Sequence, residues 1–138
     1  MREHGTAAAA LDALPQIAAA AGVTDYKISP KGVVIAELKA GCANKAQLLI
    51  AGQAGYPATL NDFSDAPPLL WALGNLSLLQ KPMIPLLGTR NASSLDTRMA
   101  KKLATDLGDA AYVIVSSLAR GVDTSAHIAA LSSSTIAV

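Results

Sequence analysis

The sequence has few aromatic residues, little charge and almost no cysteine. Aromatic side chains make up 4% of the 138 residues and charged ones 15%, whereas hydrophobic residues make up 51%. This composition is typical of a packed globular core, built here from Ala, Leu, Val and Ile, and it excludes a disordered chain. A lone Cys42 excludes a disulfide framework, and one cysteine with two histidines is too few for a credible metal site.

Long apolar runs are also missing. No uninterrupted stretch approaches the ~20 residues that a transmembrane helix needs. The alanine-rich start is interrupted by Asp12 and Pro15 and has no basic leader, which argues against a signal peptide. We therefore expect a soluble, cytoplasmic protein that does not act at a membrane.

The net charge of +1 is too small to indicate a nucleic-acid-binding protein by itself. Residues 1–80 carry five basic and six acidic side chains, whereas residues 81–138 carry six basic and four acidic ones. Any affinity for a polyanion must therefore come from local placement of cations in the second half, since the chain has no strong overall field.

Residues 1–44 have the pattern of a helical N-terminal segment. We predict one or two short helices within residues 6–21 and a further helix that begins at Pro30 and runs to about Ala40. Ser29 precedes this proline and is the expected N-cap of the further helix.

Residues 45–138 alternate between short apolar strands and helices, most regularly after residue 80. Strand, helix, strand, helix and strand at this spacing predict a right-handed parallel unit, the first half of a doubly wound α/β sheet. Pro85 lies in what should be a central strand, where its missing N–H removes one ladder hydrogen bond, so either a bulge accommodates it or this strand is weaker than the others. The strands are predicted at residues 48–50, 69–73, 83–87, 112–115 and 135–138, and the helices at residues 94–107 and 123–131.

The helix over residues 94–107 has a strong apolar pattern. Ser93 or Ser94 is the expected N-cap, and Gly108 is expected to end the helix. Four large apolar side chains at i+4 steps predict the buried stripe of this helix, which Ala100 and Ala104 widen. The four are Leu95, Met99, Leu103 and Leu107.

Two loops, residues 88–93 and 116–123, each end a strand and open a helix, so both should lie at the same edge of the sheet. Helix N-termini attract anions, and arginine binds phosphate with a rigid fork of donors. We therefore predict a DNA- or phosphate-binding site at this edge. Its candidate residues are Gly88, Thr89, Arg90, Ser93, Ser116, Ser117, Arg120 and Gly121.

Structural alternatives exist for several of these residues. Arg90 is equally well placed to pair with Asp96 or Asp123 across the edge of the sheet. Asp123 is also a candidate N-cap of the last helix, in which case Ser117 would only fill a turn position.

Catalysis has little support in the sequence. One glycine at Gly88 does not make a dinucleotide fingerprint, and no Walker lysine is present, so we expect neither a cofactor nor nucleotide hydrolysis. Ser116, His127 and Asp123 make a triad arithmetically possible. Without a nucleophile elbow, however, His127 is better interpreted as structural. We expect that the protein is not an enzyme.

Several motifs together resemble the DNA-processing protein A family (DprA, also called Smf), in order and spacing over roughly residues 45–138. The combination is specific, although no single motif is. The motifs are Tyr56-Pro57-x-x-Leu60, Asp65-Ala66-Pro67-Pro68-Leu69-Leu70-Trp71 with Gly74, Gly88-Thr89-Arg90-Asn91-Ala92-Ser93, and Ser116-x-Leu118-Ala119-Arg120-Gly121-Val122-Asp123-x-x-Ala126-His127.

The resemblance implies a Rossmann-like domain that binds single-stranded DNA and delivers it to the RecA recombinase during natural transformation. By position, Arg90 matches the family's phosphate-contacting arginine, and Ser93 and residues 116–121 match the walls of the same pocket. The chain would be a truncated N-terminal portion, with a helical segment over residues 1–44 and a partial Rossmann-like domain over residues 45–138. The second half, which carries the RecA contact and the homodimer surface in the family, would be missing.

Two other interpretations stay open. One is an enzyme of the lysine-decarboxylase-like group of Rossmann-like nucleotide-binding proteins, although the Pro-Gly-Gly-x-Gly-Thr signature of that group is absent here. The other is an inactive, truncated copy of a family member.

Overall fold

A computed structural model describes residues 4–138, so the first three residues of the predicted helical segment lie outside the described part. The chain forms two compact units, one that ends at Lys45 and one that comprises Ala46–Val138. Within residues 4–138, no helix combines the length and the apolar character needed to cross a membrane.

The first unit contains two α-helices. Thr6 caps the first helix by accepting a hydrogen bond from the amide of Ala9. Pro15 lies inside this helix and does not start a second one, because the flanking alanines strongly favour helix. Ser29 is not the N-cap of the second helix, which Pro30 precedes without a side-chain cap. The helices are α1 (Ala7–Ala20) and α2 (Lys31–Ala43).

The second unit combines an antiparallel hairpin with a parallel sheet. β1 (Gln47–Ile50) pairs antiparallel with β2 (Leu69–Ala72). The remaining strands form a parallel sheet in the order β3-β4-β5, with a helix in each connection. The mixed α/β class with a helical N-terminal segment is thus confirmed. The elements of this part are β3 (Met83–Pro85), α3 (Ser94–Asp109), β4 (Val113–Ser116), α4 (Val122–Ala130) and β5 (Thr135–Ala137).

Pro85 is accommodated because β3 lies at the edge of the parallel sheet and Pro85 is its last residue. The expectation of a central strand was therefore wrong. The residue after the proline resumes the ladder, since the amide of Leu86 donates to the carbonyl of Val115 at 2.9 Å.

The buried face of α3 differs from the predicted one. Leu95, Met99 and Leu103 are 60%, 51% and 43% exposed, whereas Ala100 and Ala104 are buried. Because i+4 steps drift around a helix that has 3.6 residues per turn, these three side chains leave the packed face, and of the four predicted residues only Leu107 packs, partly buried, against the core. Gly108 does not end α3, which continues to Asp109.

A small core of alanine and isoleucine lies between the helices and the sheet. Ala104 of α3, Ile114 of β4, and Ala126 and Ala130 of α4 are fully buried and contact one another. Because alanine is small, α3 and α4 pack closely together over β4. This packing holds the N-terminus of α4 at the carboxyl edge of the sheet.

Candidate functional site

Two loops meet at the carboxyl edge of the parallel sheet. The first loop (residues 86–93) follows β3, and the second loop (residues 117–121) follows β4. The backbone joins them directly, since the amide of Val122 donates to the carbonyl of Thr89 at 3.2 Å. The structure therefore brings the two predicted segments together.

Gly88 and Gly121 allow the loops to touch. Gly121 has a φ of +89°, and a Cβ at this position would overlap the carbonyl oxygen of Thr89 and the backbone of Arg90. A Cβ at Gly88 would lie within 2.8 Å of three side-chain atoms of Val122. Both glycines therefore serve contact between the loops.

The first loop presents two hydroxyl groups, of which one, that of Thr89, donates to no other group within residues 4–138. Thr89 Oγ1 accepts from the amide of Asn91, and Ser93 Oγ accepts from the amide of Asp96, both at 3.2 Å. Asp96 in turn accepts from the amide of Ser93 at 2.8 Å, which completes a capping box at the start of α3. The amide and the hydroxyl of Ser93 both lower the pKa of Asp96, so the Ser93 proton is directed to that carboxylate, whereas the Thr89 hydroxyl can still donate to a ligand.

Arg90 is exposed and directly follows Thr89 in the chain. Lys102 pairs with Asp106 at 2.8 Å within α3, whereas Arg90 has no ion pair among residues 4–138. The two carboxylates proposed as partners of Arg90 bond elsewhere, Asp96 to Ser93 and Asp123 to both loops. The alternative of Arg90 as a structural ion-pair partner is therefore wrong for the described part of the chain.

The second loop contributes another exposed cation. A guanidinium nitrogen of Arg120 donates to Oδ1 of Asn91 at 3.1 Å. Sequence reasoning missed Asn91, although it lies between Arg90 and the cap residue and has an amide oxygen that accepts hydrogen bonds. The bond holds Arg120 over the first loop while leaving its other donors available.

The two serines of the second predicted segment face inward. Ser116 is fully buried and donates to the carbonyl of Leu86 at 2.6 Å. Ser117 donates to Oδ2 of Asp123 at 2.5 Å. Because each hydroxyl proton is already used, both serines hold the loops in place and have no proton left for a ligand.

Asp123 is the buried centre of the arrangement, with 3% of its surface exposed. Gly121, not Asp123, is the N-cap of α4. The carboxylate accepts from the amide of Gly88 at 3.2 Å as well as from Ser117. The hydrogen bond from Ser117 lowers the pKa of Asp123, against the upward effect of burial, and the amide of Gly88 lowers it further.

His127 is part of the support and not of a catalytic triad. Its Nδ1 lies 2.7 Å from Thr135 Oγ1, and its Nε2 lies 3.1 Å from the carbonyl of Ser117. Ser116 and Ser117 donate to other groups, so neither hydroxyl is activated by the imidazole. Among the described residues, no group of three or more His, Cys, Asp or Glu side chains is placed to hold a metal ion.

Comparison with known proteins points to one family. DNA processing protein DprA of Streptococcus pneumoniae is 44% identical over 76 residues, which cover 55% of this chain and 27% of that protein. The crystal structure of the same pneumococcal protein superposes with a TM-score of 0.65 at 38% identity, over 75% of this chain and 36% of that one.

A second solved structure describes a single-stranded DNA binding mode of DNA processing protein A from Helicobacter pylori. It matches with a TM-score of 0.58 at 29% identity, over 68% of this chain and 43% of that one. This chain thus spans less than half of each of these proteins.

The family-level match is broader. The sequence model of a DprA-like N-terminal HHH domain matches residues 1–40. The model of DNA recombination-mediator protein A matches residues 47–138, which include both loops and the whole parallel sheet. With two thirds of its length matched by the second model, this chain belongs to the DNA recombination-mediator protein A family.

Proposed function

We propose that this chain binds single-stranded DNA, mainly through phosphates, at the edge formed by the first and second loops. The observation that carries the proposal is the exposed Arg90 between the free hydroxyl of Thr89 and the N-terminus of α3 in the chain. Arginine and a helix N-terminus are both suited to a phosphate oxygen. Contacts of this kind carry no sequence information, so we expect no sequence preference.

Within this site the candidate residues divide into two groups. Thr89, Arg90 and Arg120 have donors available for phosphate oxygens, and Ser93 holds the N-terminus of α3 as its N-cap. The second group holds the two loops against each other by close packing or inward hydrogen bonds. It comprises Gly88, Ser116, Ser117 and Gly121.

The biological role follows from family membership and from the Helicobacter pylori relative, which binds single-stranded DNA. We infer that the chain binds DNA during DNA uptake and natural transformation in the cytoplasm, a process in which the family delivers the bound strand to RecA. Residues 45–138 would be the DNA-binding part and residues 1–44 the helical N-terminal part.

We propose no enzymatic activity. Both serines near His127 use their protons in other hydrogen bonds, which removes the obvious nucleophiles. Incubation with ATP and with nucleoside monophosphates, followed by chromatography, tests this point. Turnover that disappears in Asp123→Ala would favour the enzyme alternative.

The binding proposal is tested by fluorescence anisotropy with labelled oligo-dT at several salt concentrations. Arg90→Ala should weaken binding by about tenfold, or about 1.4 kcal/mol. It should also make the salt dependence shallower by about 0.7 in the log–log slope, because one phosphate contact is lost.

Lys101→Ala is the matched control, since it also removes one positive charge, but at a position about two turns into α3. It should leave the affinity nearly unchanged. Equal binding by the wild type and Arg90→Ala would show that the site is elsewhere.

A further inference from the structure

Asp123 places a negative charge directly beneath the proposed DNA-binding edge. Its side chain is 3% exposed and belongs to the first turn of α4. Buried carboxylates are rare unless hydrogen bonds compensate for lost hydration, and a negative charge here opposes a phosphate ligand. The position therefore calls for an explanation other than direct contact with DNA.

The hydrogen bonds of Asp123 provide that explanation. Oδ1 accepts from the amide of Gly88, in the first loop, and Oδ2 accepts from the hydroxyl of Ser117, in the second loop. One carboxylate thus joins two segments that are distant in the sequence. Because an ionised carboxylate only accepts hydrogen bonds, it directs both donors inward.

The same two loops carry the arginines of the proposed site. Arg90 follows Gly88 by two residues, and Arg120 follows Ser117 by three. Two contacts nearer the surface, from Val122 to Thr89 and from Arg120 to Asn91, also join the loops. Asp123 is the buried contact beneath them, where water does not compete for its hydrogen bonds.

We propose that Asp123 is a positioning residue for DNA binding, which fixes the loop of Arg90 against the loop of Arg120 before DNA arrives. The proposal rests on the function proposed above. Ordering a loop only when a ligand binds costs conformational entropy, and a preformed site avoids that cost. Asp123 itself touches no phosphate.

The test compares Asp123→Ala with Asp123→Asn in the full chain. Alanine removes both links, whereas the asparagine oxygen still accepts from Gly88 and its NH₂ donates to a reoriented Ser117 hydroxyl. Anisotropy with oligo-dT should show roughly tenfold weaker binding for Asp123→Ala and recovery of most of the affinity in Asp123→Asn.

Ser125→Ala is the matched control. Ser125 is also a buried polar residue of α4, 8% exposed, and its hydroxyl donates to the carbonyl of Gly121 at 2.9 Å. This bond lies within the start of the helix and does not reach the first loop. Ser125→Ala should therefore lower the melting temperature without weakening DNA binding, which separates positioning from stability.

Amide hydrogen exchange provides a readout that needs no DNA. The Gly88 amide should exchange faster in Asp123→Ala than in the wild type and stay protected in Asp123→Asn. If Asp123→Ala does not fold, Ser117→Ala is used in its place, because this variant removes the hydrogen bond from the second loop to Asp123 and keeps the one from Gly88. Ser117→Ala should then weaken DNA binding, whereas Ser125→Ala should not.

The outcomes distinguish the two proposals. Arg90-dependent binding of DNA by the wild type, with equal affinity in Asp123→Ala or Ser117→Ala, overturns the positioning role and leaves the function intact. Wild-type binding that does not depend on Arg90 overturns the proposed site and this role together, even if Gly88 exchange responds to Asp123→Ala. Loss of binding in Ser125→Ala equal to that in the Asp123 variant overturns positioning in favour of a general loss of stability.

Discussion

Arg120 donates a hydrogen bond to the side-chain oxygen of Asn91 at 3.1 Å, across the two loops. The bond joins a cation that follows β4 to a neutral amide that follows β3. A neutral acceptor holds the guanidinium without cancelling its charge, so Arg120 remains attractive to a phosphate.

Asn91→Asp should weaken the binding of single-stranded DNA by about tenfold or more at low salt. The new carboxylate would pair with Arg120 and would also repel phosphates. Asn91→Ala is the control, because it releases Arg120 without adding charge and should have a much smaller effect. Anisotropy titrations at two salt concentrations check this, and the difference between the variants should shrink at high salt. Equal affinity of the two variants at low salt would contradict it.

Gly121→Ala should destabilise the second unit more than a positive φ alone explains. A non-glycine residue in such a backbone conformation costs about 1–3 kcal/mol. At Gly121 the new Cβ would also overlap the backbone of Thr89 and Arg90, so the loops would have to separate.

Gly52→Ala isolates the conformational cost, since Gly52 has a φ of +81° with nothing within 4 Å of an added Cβ. Urea unfolding should give a larger loss for Gly121→Ala, and DNA binding should fall only in that variant. If Gly121→Ala lowered the free energy of unfolding only as much as Gly52→Ala does, the loops would separate easily.

Acidification should destabilise the chain through Asp123. Its folded-state pKa is lowered, chiefly by Ser117, so its contribution is fully present above the unfolded pKa of about 3.9. The contribution is lost as the pH falls through the folded-state value. The urea concentration at the unfolding midpoint, measured from pH 6 downward, should therefore decrease once the pH is below about 4. The decrease should be less steep in Asp123→Asn.

Asp96→Asn is the comparison for that experiment. The capping box with Ser93 also lowers the pKa of Asp96, so its stabilising effect disappears in the same direction and over the same pH range. Because this cap lies at the surface, Asp96→Asn should change the pH dependence of the urea midpoint less than Asp123→Asn does. A pH profile of Asp123→Asn identical to that of the wild type would contradict a native ionised Asp123.

The helix packing predicts opposite sensitivities on the two sides of α3. Ala104→Leu should destabilise the chain by about 1–3 kcal/mol, because the site is fully buried against α4 and β4. Met99→Ala should change stability by only about 0.5 kcal/mol, since Met99 is 51% exposed. Thermal melting of both variants checks the assignment. A larger loss in Met99→Ala would restore the apolar stripe as the packed face.

The order of helices and strands could be predicted from the sequence because it depends on neighbouring residues. The apolar runs that became β3, β4 and β5, with the intervening polar turns, indicated a parallel α/β unit, and the structure has it. The N-cap of α3 was narrowed to Ser93 or Ser94, because a serine hydroxyl can accept from the first helix amides, and the structure has Ser93. The position of the two loops at one edge follows from the same pattern.

Only the tertiary structure decided which way the side chains face. Leu95, Met99 and Leu103 repeat at regular i+4 steps yet are exposed, whereas Ala104 is fully buried against α4 and β4. The edge position of β3, which accommodates Pro85, likewise depends on which strands pair.

Tertiary contacts also decided which hydroxyl groups of the candidate site remain available for a ligand. The hydroxyls of Thr89, Ser116 and Ser117 are equivalent donors in the sequence, but the first keeps its proton while the other two donate theirs to Leu86 and Asp123. The link from Asp123 to Gly88 joins residues far apart in the chain, so no local pattern predicts it. A sequence determines which donors a chain possesses, whereas contacts between distant segments determine which of those donors remain available for a ligand.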